Sequence, residues 1–429
     1  MTAESARALL VRPRKAPEAS VVKRFGPVLG KRSARENLEL LSEAHAAVTG
    51  LKRHAKAIRG RGANIFTQWV GDPDALGSAV MLERILRSLG ATDVRILTGT
   101  LGHPQNRNLV RRCGIQLHDP NRDRIPDGLH CMVDSSPPLG RASTAQVDGV
   151  ARFFFVADHH AKREDVEEAC RNNGVEEITL GHVGLPIGST SAFMAVLAGA
   201  FGVLGEAGPE GRAAAALGIY TDTSALLHGA TPLDFRMFEL LTREPATRDL
   251  LDELRDYRVP EAWYRYCGAA FQRINVEGRV RIAAVGWVNE RERDVIAEIA
   301  NQLLRIEGTS VGIAVAVTDR GTDVSVRADS RLLGSDPERI VTVIDHLLQY
   351  TFPGCSGFKF ERTPPYRVEG GACVPHGDSK DIMWQPESGE EPDPDDPRIM
   401  EHCSAAAKAM LTALADMKFA NPEEVEGLI

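Results

Sequence analysis

Apolar and polar positions along this chain fall into blocks whose period switches between two and about 3.6. The stretch Ile65-Phe-Thr-Gln-Trp-Val70 is β-prone, breaks at Gly71-Asp-Pro-Asp74, and passes through Gly77-Ser78 into Val80, Leu82, Ile85, Leu86 and Leu89 at helical spacing. This predicts a strand near 64–70 and a helix over 76–89, joined by a loop with two carboxylates at its tip. The switch repeats: strand 93–98, helix 105–113, strands 129–134 and 152–157, helix 163–172, strand 177–181, helices 189–203 and 210–219. Upstream, Leu38, Leu40, Leu41, Ala44, Val48 and Leu51 predict one helix over 33–58. Residues 1–32, broken by Pro and Arg, predict a segment that is loose or helical only in part. Alternation of this kind predicts an α/β fold with a mostly parallel sheet and helices on both faces.

Residues 224–265 read as helices, and a new alternation starts at 279: strand 279–285, helix 295–304, strands 311–317 and 323–327, helix 336–349. The chain therefore divides into a basic extension with a helix (1–61), a first α/β domain (62–245), linker helices (246–278), a smaller second α/β domain (279–385) and an acidic tail (386–429). That tail opens with a proline-rich linker, 386–398. It ends in an amphipathic helix near 399–418, suited to docking on a lobe or on a second copy in a homodimer.

Composition narrows the class. With 429 residues, 43% hydrophobic and 26% charged, the chain is long enough for two or three globular domains. No apolar run is long enough to span a bilayer, so no membrane role is expected. Arg7, Arg12, Arg14 and Lys15 interrupt any secretory h-region. Seven scattered cysteines without a Cys-x-x-Cys pair argue for reduced thiols, hence a cytoplasmic protein, and against a zinc knuckle. Residues 1–60 carry a net charge of +8 against −8 for the whole chain, so the remainder carries −16. Such a remainder disfavours duplex binding, while leaving room for a short anionic substrate held through metal ions.

Three later strand ends carry polar residues. Cys131-Met-Val-Asp134 leads into Ser135-Ser-Pro-Pro, Phe153-Phe-Phe-Val-Ala-Asp158 into His159-His160, and Leu217-Gly-Ile-Tyr-Thr into Asp222. Alone, each reads equally as a turn, a cap or a satisfied core pair. Together with Asp72 and Asp74 they form an oxygen-rich set with one or two imidazoles, which suits Mn²⁺ or Mg²⁺ better than thiolate-bound zinc. Two such ions, about 3.5–4 Å apart, would activate a bridging water and clamp both oxygens of a phosphate ester.

The ordered set Asp-Pro-Asp-Ala-Leu-Gly-Ser (72–78), Val-Asp134, Asp158-His-His, Gly-Ser-Thr-Ser (188–191) and Gly-Ile-Tyr-Thr-Asp222, with His103-Pro-Gln-Asn106, resembles the DHH phosphoesterases. Within them it is similar to the oligoribonuclease/3′-phosphoadenosine-5′-phosphate phosphatase and cyclic-dinucleotide phosphodiesterase branch. The resemblance covers roughly 62–375 and implies a two-lobed α/β fold, a DHH catalytic domain followed by a DHH-associated (DHHA1) domain. It implies that Asp72 and Asp74 each hold one metal ion, Asp134 bridges them, His159 ligates the second and Asp222 completes the cluster. His160 would face the scissile phosphate, with Asp158 orienting the histidines. His103 and Asn106 would line the nucleotide side. Ser189 and Thr190 would either present helix amides to a phosphate or form an ordinary N-cap. In the second domain Ser325-Val-Arg327 and a Gly370-Gly371 loop would hold substrate, with His376 beyond; a surface strand residue is the other reading of Arg327. One departure stands out: the family's metal-binding histidine four residues before the first Asp is Gln68 here, and Gly71 replaces a proline. An amide oxygen is a poor substitute for imidazole at Mn²⁺.

The resemblance thus implies a metal-dependent phosphoesterase with two divalent ions, Mn²⁺ before Mg²⁺. Its substrate would be short single-stranded RNA, dinucleotides or 3′-phosphoadenosine-5′-phosphate, bound in a cleft between two lobes. A cyclic-dinucleotide phosphodiesterase is the first alternative. A non-catalytic nucleotide-binding regulator with a degenerate metal site at Gln68 is the second.

Overall fold

The computed structural model describes residues 16–120, 122–137, 150–160, 162–329, 337–352, 359–363, 367–375 and 396–420. They form two compact units that part between Arg258 and Val259. The fold is two-unit α/β, as expected.

In the first unit, β1 (Ala63–Phe66), β2 (Val94–Leu97), β3 (Leu117–His118), β4 (Leu129–Val133), β5 (Arg152–Asp158) and β6 (Glu177–Val183) make a six-stranded sheet in the order β3-β2-β1-β4-β5-β6. Every pairing is parallel. Parallel strands covered on both faces carry continuous apolar runs, which accounts for Phe153-Phe-Phe-Val-Ala. Ile65, Cys131, Val133 and Phe155 face one core, and Phe66, Met132, Phe153 and Val156 the other. The strand order reverses between β1 and β4. The crevice beyond the carboxyl ends of strands at such a switch point is where open α/β sheets place ligands. Here the chain leaves β1 toward Asp72 and β4 toward Asp134.

The basic extension belongs to this core. Helix α1 (Glu18–Leu29) precedes three helices, α2 (Lys31–Glu36), α3 (Leu38–Arg53) and α4 (Ala55–Ile58), which replace the single helix expected over 33–58. The break after α1 falls at Gly30, whose φ of 87° is costly for other residues. Val21, Phe25 and Leu29 of α1 are buried with Leu41, Val48 and Leu51 of α3, so residues 18–29 are ordered by packing that their Pro and Arg content conceals. On α3, a Cβ added at Gly50 would come within 2.4 Å of the Leu180 side chain, so the helix lies directly against β6.

The remaining helices of this unit are α5 (Pro73–Ser88), α6 (Pro104–Cys113), α7 (Arg163–Asn172), α8 (Thr190–Phe201), α9 (Gly208–Asp222), α10 (Pro232–Leu241) and α11 (Pro245–Arg255). Helix α8 is buried from Thr190 to Ala198. Phe193, Met194, Val196 and Leu197 each contribute about 1.5–3 kcal/mol by leaving water.

The second unit holds α12 (Glu261–Phe271), β7 (Ile274–Glu277), β8 (Val280–Trp287), α13 (Asp294–Leu304), β9 (Val311–Thr318), β10 (Gly321–Asp329), α14 (Pro337–Thr351), β11 (Lys359–Thr363), β12 (Arg367–Pro375) and α15 (Pro397–Ala420). Its sheet runs β11-β12-β10-β9-β8-β7, with β8 and β9 parallel and the other pairs antiparallel. The C-terminal helix α15 docks on its own unit. Ile399 and Cys403 pack with Ala284, Trp287 and Val317, Met410 and Leu414 join the core of Ile282 and Val315, and His402 Nε2 lies 3.0 Å from Thr322 Oγ1. Among the described residues no helix is long and apolar enough to cross a membrane, and no disulfide is formed.

Candidate metal centre and active site

The loop after β1 ends on Asp72, the N-cap of α5. Its Oδ1 accepts from Ala75 N at 2.8 Å, a cap worth about 1 kcal/mol. Its Oδ2 accepts from Gln68 Nε2. Asp74 follows Pro73 in the first turn of α5 and is fully buried. Its carboxylate takes the N-terminal amides of a second helix: Thr190 N and Ser191 N of α8 each donate at 2.7 Å. Two helix N-termini therefore converge on one acid, where amide dipoles favour negative charge.

Asp134 ends β4 in a left-handed conformation, φ 57°, which costs a non-glycine residue about 1–2 kcal/mol. Its amide is tied to Ala157 O at 2.9 Å. Its Oδ1 accepts from Thr190 Oγ1 at 2.9 Å. Its Oδ2 is buried and has no hydrogen-bond partner. An unpaired buried carboxylate oxygen is expensive and calls for an explanation, such as an ion.

His159 and His160 leave the end of β5. His159 Nε2 lies 2.9 Å from Asp222 Oδ2, 3.6 Å from Asp134 Oδ1 and 3.8 Å from Asp74 Oδ2. At 2.9 Å the contact with Asp222 is an ion pair of the protonated ring. His159 Nδ1 sits 3.2 Å from Ile187 O. Asp158 binds the neighbouring ring: His160 Nδ1 lies 2.9 Å and His160 N 3.1 Å from its Oδ1, while Ser136 Oγ donates to its Oδ2 at 2.5 Å.

Asp222 arrives on the last residue of a helix, α9, and not at a strand end as the sequence suggested. The helical run simply continues past Ile219. Two glycines let α9 approach α5: a Cβ at Gly77 would meet Ala214 O at 2.8 Å, and one at Gly218 would meet Asp74 Cα at 2.8 Å and Pro73 O at 2.9 Å. Beyond Asp222, Ser224, Ala225 and Leu226 are all left-handed, with φ of 48°, 63° and 64°. Such strain persists only where the surroundings impose it. Ala225 N donates to Tyr220 O at 2.7 Å and Leu226 N to the buried Thr223 Oγ1 at 3.1 Å.

The electrostatics are those of a site with too much negative charge. Burial, then the neighbouring acids, raises Asp134 well above the usual carboxylate range. Burial and the Asp222 charge raise Asp72 and Asp74 to about 6. Burial opposes protonation of His159, but Asp222, Asp74 and Asp158 outweigh it and raise the ring to about 10. Asp158 differs: burial pushes it up, and its bonds from His160 and Ser136 win, leaving it at about 2. Two sets of ligand atoms lie close enough for one cation, Asp134–His159–His160 and Asp74–His159–Asp222. The orphaned oxygen, the charge excess and the oxygen-plus-imidazole donors fit a divalent ion such as Mn²⁺ or Mg²⁺.

Other expected residues fall elsewhere. Ser189 and Thr190 do not offer amides to an outside phosphate. Ser189 caps α8 and donates to Asp234 Oδ1 at 3.2 Å, and the Thr190 and Ser191 amides serve Asp74, an acid close enough to occupy that helix end. Asn106 is buried and donates to Gly71 O at 2.9 Å, bracing the Asp72 loop. His103 caps α6 and packs edge-on against Tyr257 at 5.1 Å, and burial lowers it to about 4. Gly370 and Gly371 lie inside β12 and not in a loop, opposite Val326 and Ser325. A Cβ at Gly371 would meet Val324 O at 2.4 Å, so the strand pairing itself requires glycine. Arg327 Nε lies 3.6 Å from Glu369 Oε2 and makes no hydrogen bond, while one guanidinium N–H donates to Val326 O at 2.9 Å. His376 lies outside the described residues. Ser136, Ser191 and Asp234 were missed. Each acts by bonding another polar group across the fold, which no local pattern announces.

No protein-family model and no curated protein matches this sequence. Solved structures do. The fold is similar to that of an exopolyphosphatase-related protein from Bacteroides fragilis. The two superpose with a TM-score of 0.60 at 15% identity, over 88% of this chain and 98% of that one. RecJ from Thermus thermophilus, in complex with Mn²⁺ and with Mg²⁺, aligns at 14% identity in both cases. Those alignments span 95% of this chain and 63% and 61% of RecJ, with TM-scores of 0.42 and 0.37. At such identities the first likeness establishes the fold, and the chemistry rests on the side chains.

Proposed function

We propose that this chain is a metal-dependent phosphoesterase of the DHH type, acting in the cytoplasm on short single-stranded RNA, dinucleotides or 3′-phosphoadenosine-5′-phosphate. The observation that carries this reading is Asp134 Oδ2, a buried carboxylate oxygen without a donor amid an excess of acid. Asp74, Asp134, His159 and Asp222 would hold the cation, with Mn²⁺ preferred and Mg²⁺ accepted. When bound, it supplies an activated water and draws charge from the phosphoryl group. The rest falls to the chain. Asp158 takes His160 Nδ1, which fixes the tautomer and aims the ring. A nitrogen that donates to Asp158 is withdrawn from ligand duty, which supports His160 as the group that meets a phosphoryl oxygen. Arg327, with its Nε outside any hydrogen bond, is the second unit's candidate for an anionic substrate.

One observation favours a second reading: the bond from Gln68 to Asp72 satisfies a carboxylate that a metal would otherwise need. That reading is a nucleotide-binding regulator. A hydrolysis panel separates the two. It holds linear dinucleotides, three- to five-residue RNA, 3′-phosphoadenosine-5′-phosphate, cyclic dinucleotides and inorganic polyphosphate, each with Mn²⁺, Mg²⁺ or chelator, beside Asp134→Ala. Metal-dependent turnover absent from the variant is the expected result, and the best substrate names the branch. Nucleotide binding without turnover under any metal makes the protein a regulator.

A further inference from the structure

We infer that the site holds one divalent cation and not a pair, and that the Gln68–Asp72 hydrogen bond occupies the place of a second. This rests on the metal-dependent reading above and deepens it.

Both sets of candidate ligand atoms contain His159. Only its Nε2 approaches the acids, at 2.9–3.8 Å, and its Nδ1 is turned to Ile187 O at 3.2 Å. One imidazole nitrogen coordinates one cation, so the two sets are alternative surroundings of a single ion. His160 does not restore a second set, because its Nδ1, 3.7 Å from Asp134 Oδ1, is closer to Asp158 at 2.9 Å.

Asp72 stands in neither set. Its two oxygens accept from Ala75 N and Gln68 Nε2. Gln68 is nine-tenths buried, and its backbone carbonyl is held by Thr67 Oγ1 at 3.0 Å and Thr98 Oγ1 at 3.4 Å. A fixed amide donor stabilises a buried carboxylate without a cation. On the opposite side Asp134 Oδ2 is buried with no hydrogen-bond partner. Hydrogen-bond donors are therefore missing at Asp134 Oδ2 and supplied by the protein to both oxygens of Asp72.

The test is the Mn²⁺ content of the full chain after metal removal, reloading and dialysis, with the electron paramagnetic resonance spectrum of the loaded protein. Expected is one Mn²⁺ per chain with the hyperfine-split signal of an isolated ion. Gln68→His, which replaces the amide donor by an imidazole ligand, should take up a second ion and show an exchange-coupled pair. Should that variant fold poorly, Asp72→Asn is the substitute: it should keep one Mn²⁺ per chain, with a half-saturation shift below about tenfold. Two coupled ions in the unmodified protein would overturn the inference and leave the phosphoesterase reading standing. No bound Mn²⁺ at all would overturn both. A Gln68→His protein that folds and still binds one ion would remove Gln68 from the account, as would loss of the bound ion in Asp72→Asn.

Discussion

Asp72 and Asp134 follow the two strands that flank the point where the sheet order reverses, β1 and β4, and as sequence they look equivalent. Their surroundings are opposite. Asp72 caps a helix and receives the Gln68 amide, so both of its oxygens have donors. Asp134 is held in a strained left-handed conformation with one oxygen orphaned. The difference separates a carboxylate that builds the loop from one that waits for charge. Position at a strand end puts an acid into the crevice, and the donors around it decide whether a cation is needed.

The comparison breaks most easily at Asp134. Asp134→Asn keeps the shape and removes the charge. Turnover of the best phosphoester should fall by well over the roughly 100-fold typical of an outer-shell change, and Mn²⁺ should no longer raise the melting temperature. Activity within tenfold of the parent would show that the orphaned oxygen is not a ligand.

Asp158→Asn comes next. It leaves the acids near the cation intact but loosens the hold on His160, so a loss of about 10–100-fold is expected. Mn²⁺ stoichiometry should stay unchanged. A lost ion would instead make Asp158 a metal ligand.

Gly218→Ala tests how α9 delivers Asp222. Its Cβ would press on backbone atoms of Pro73 and Asp74, which cannot rotate away. A destabilisation of about 1–3 kcal/mol is expected, with weaker Mn²⁺ binding. Gly268→Ala on α12 is the control: its Cβ meets nothing within 4 Å, and relief of glycine's helix penalty should stabilise by up to about 1 kcal/mol. Equal melting temperatures for the two variants would refute close packing at Gly218.

The smallest effect is a slope with pH. Asp72 and Asp74 are raised in the fold from 3.8 to about 6, so their contribution is present below pH 4 and lost as pH rises through 6. His159, raised from 6.5 to about 10, loses its contribution higher still. Asp158 runs the other way, losing its contribution only as pH falls toward 2. Between pH 4 and 7 the metal-free protein should therefore lose stability at this site, and the rise in melting temperature produced by Mn²⁺ should grow over the same window. A metal-induced rise independent of pH would contradict the charge excess.

The first unit's strands and helices were readable because parallel strands buried on both faces announce themselves as apolar runs, and because helix α7 has the period of an amphipathic helix, with Val166 and Cys170 buried. The extent of helix α1 was not readable. Its Arg, Lys and Pro look like linker, and Val21, Phe25 and Leu29 find their core only when α3 and α8 are present. Within the site, Asp72, Asp74, Asp134, Asp158, His159, His160 and Asp222 stood out as acids and imidazoles at element ends, and the fold gathers them. Ser189 is the ordinary N-cap that was one of its two readings, and Thr190 and Asn106 bond inside the protein, to Asp74, Asp134 and Gly71.

By itself the sequence determined the element types, the parallel sheet and the identity of the polar groups at its carboxyl edge, because periodicity and chain breaks are local properties. Only the tertiary structure decided which of those groups are satisfied. Whether a buried oxygen has a donor depends on residues from Gln68 to Thr190 that meet across the switch point, and that is a property of distances in space.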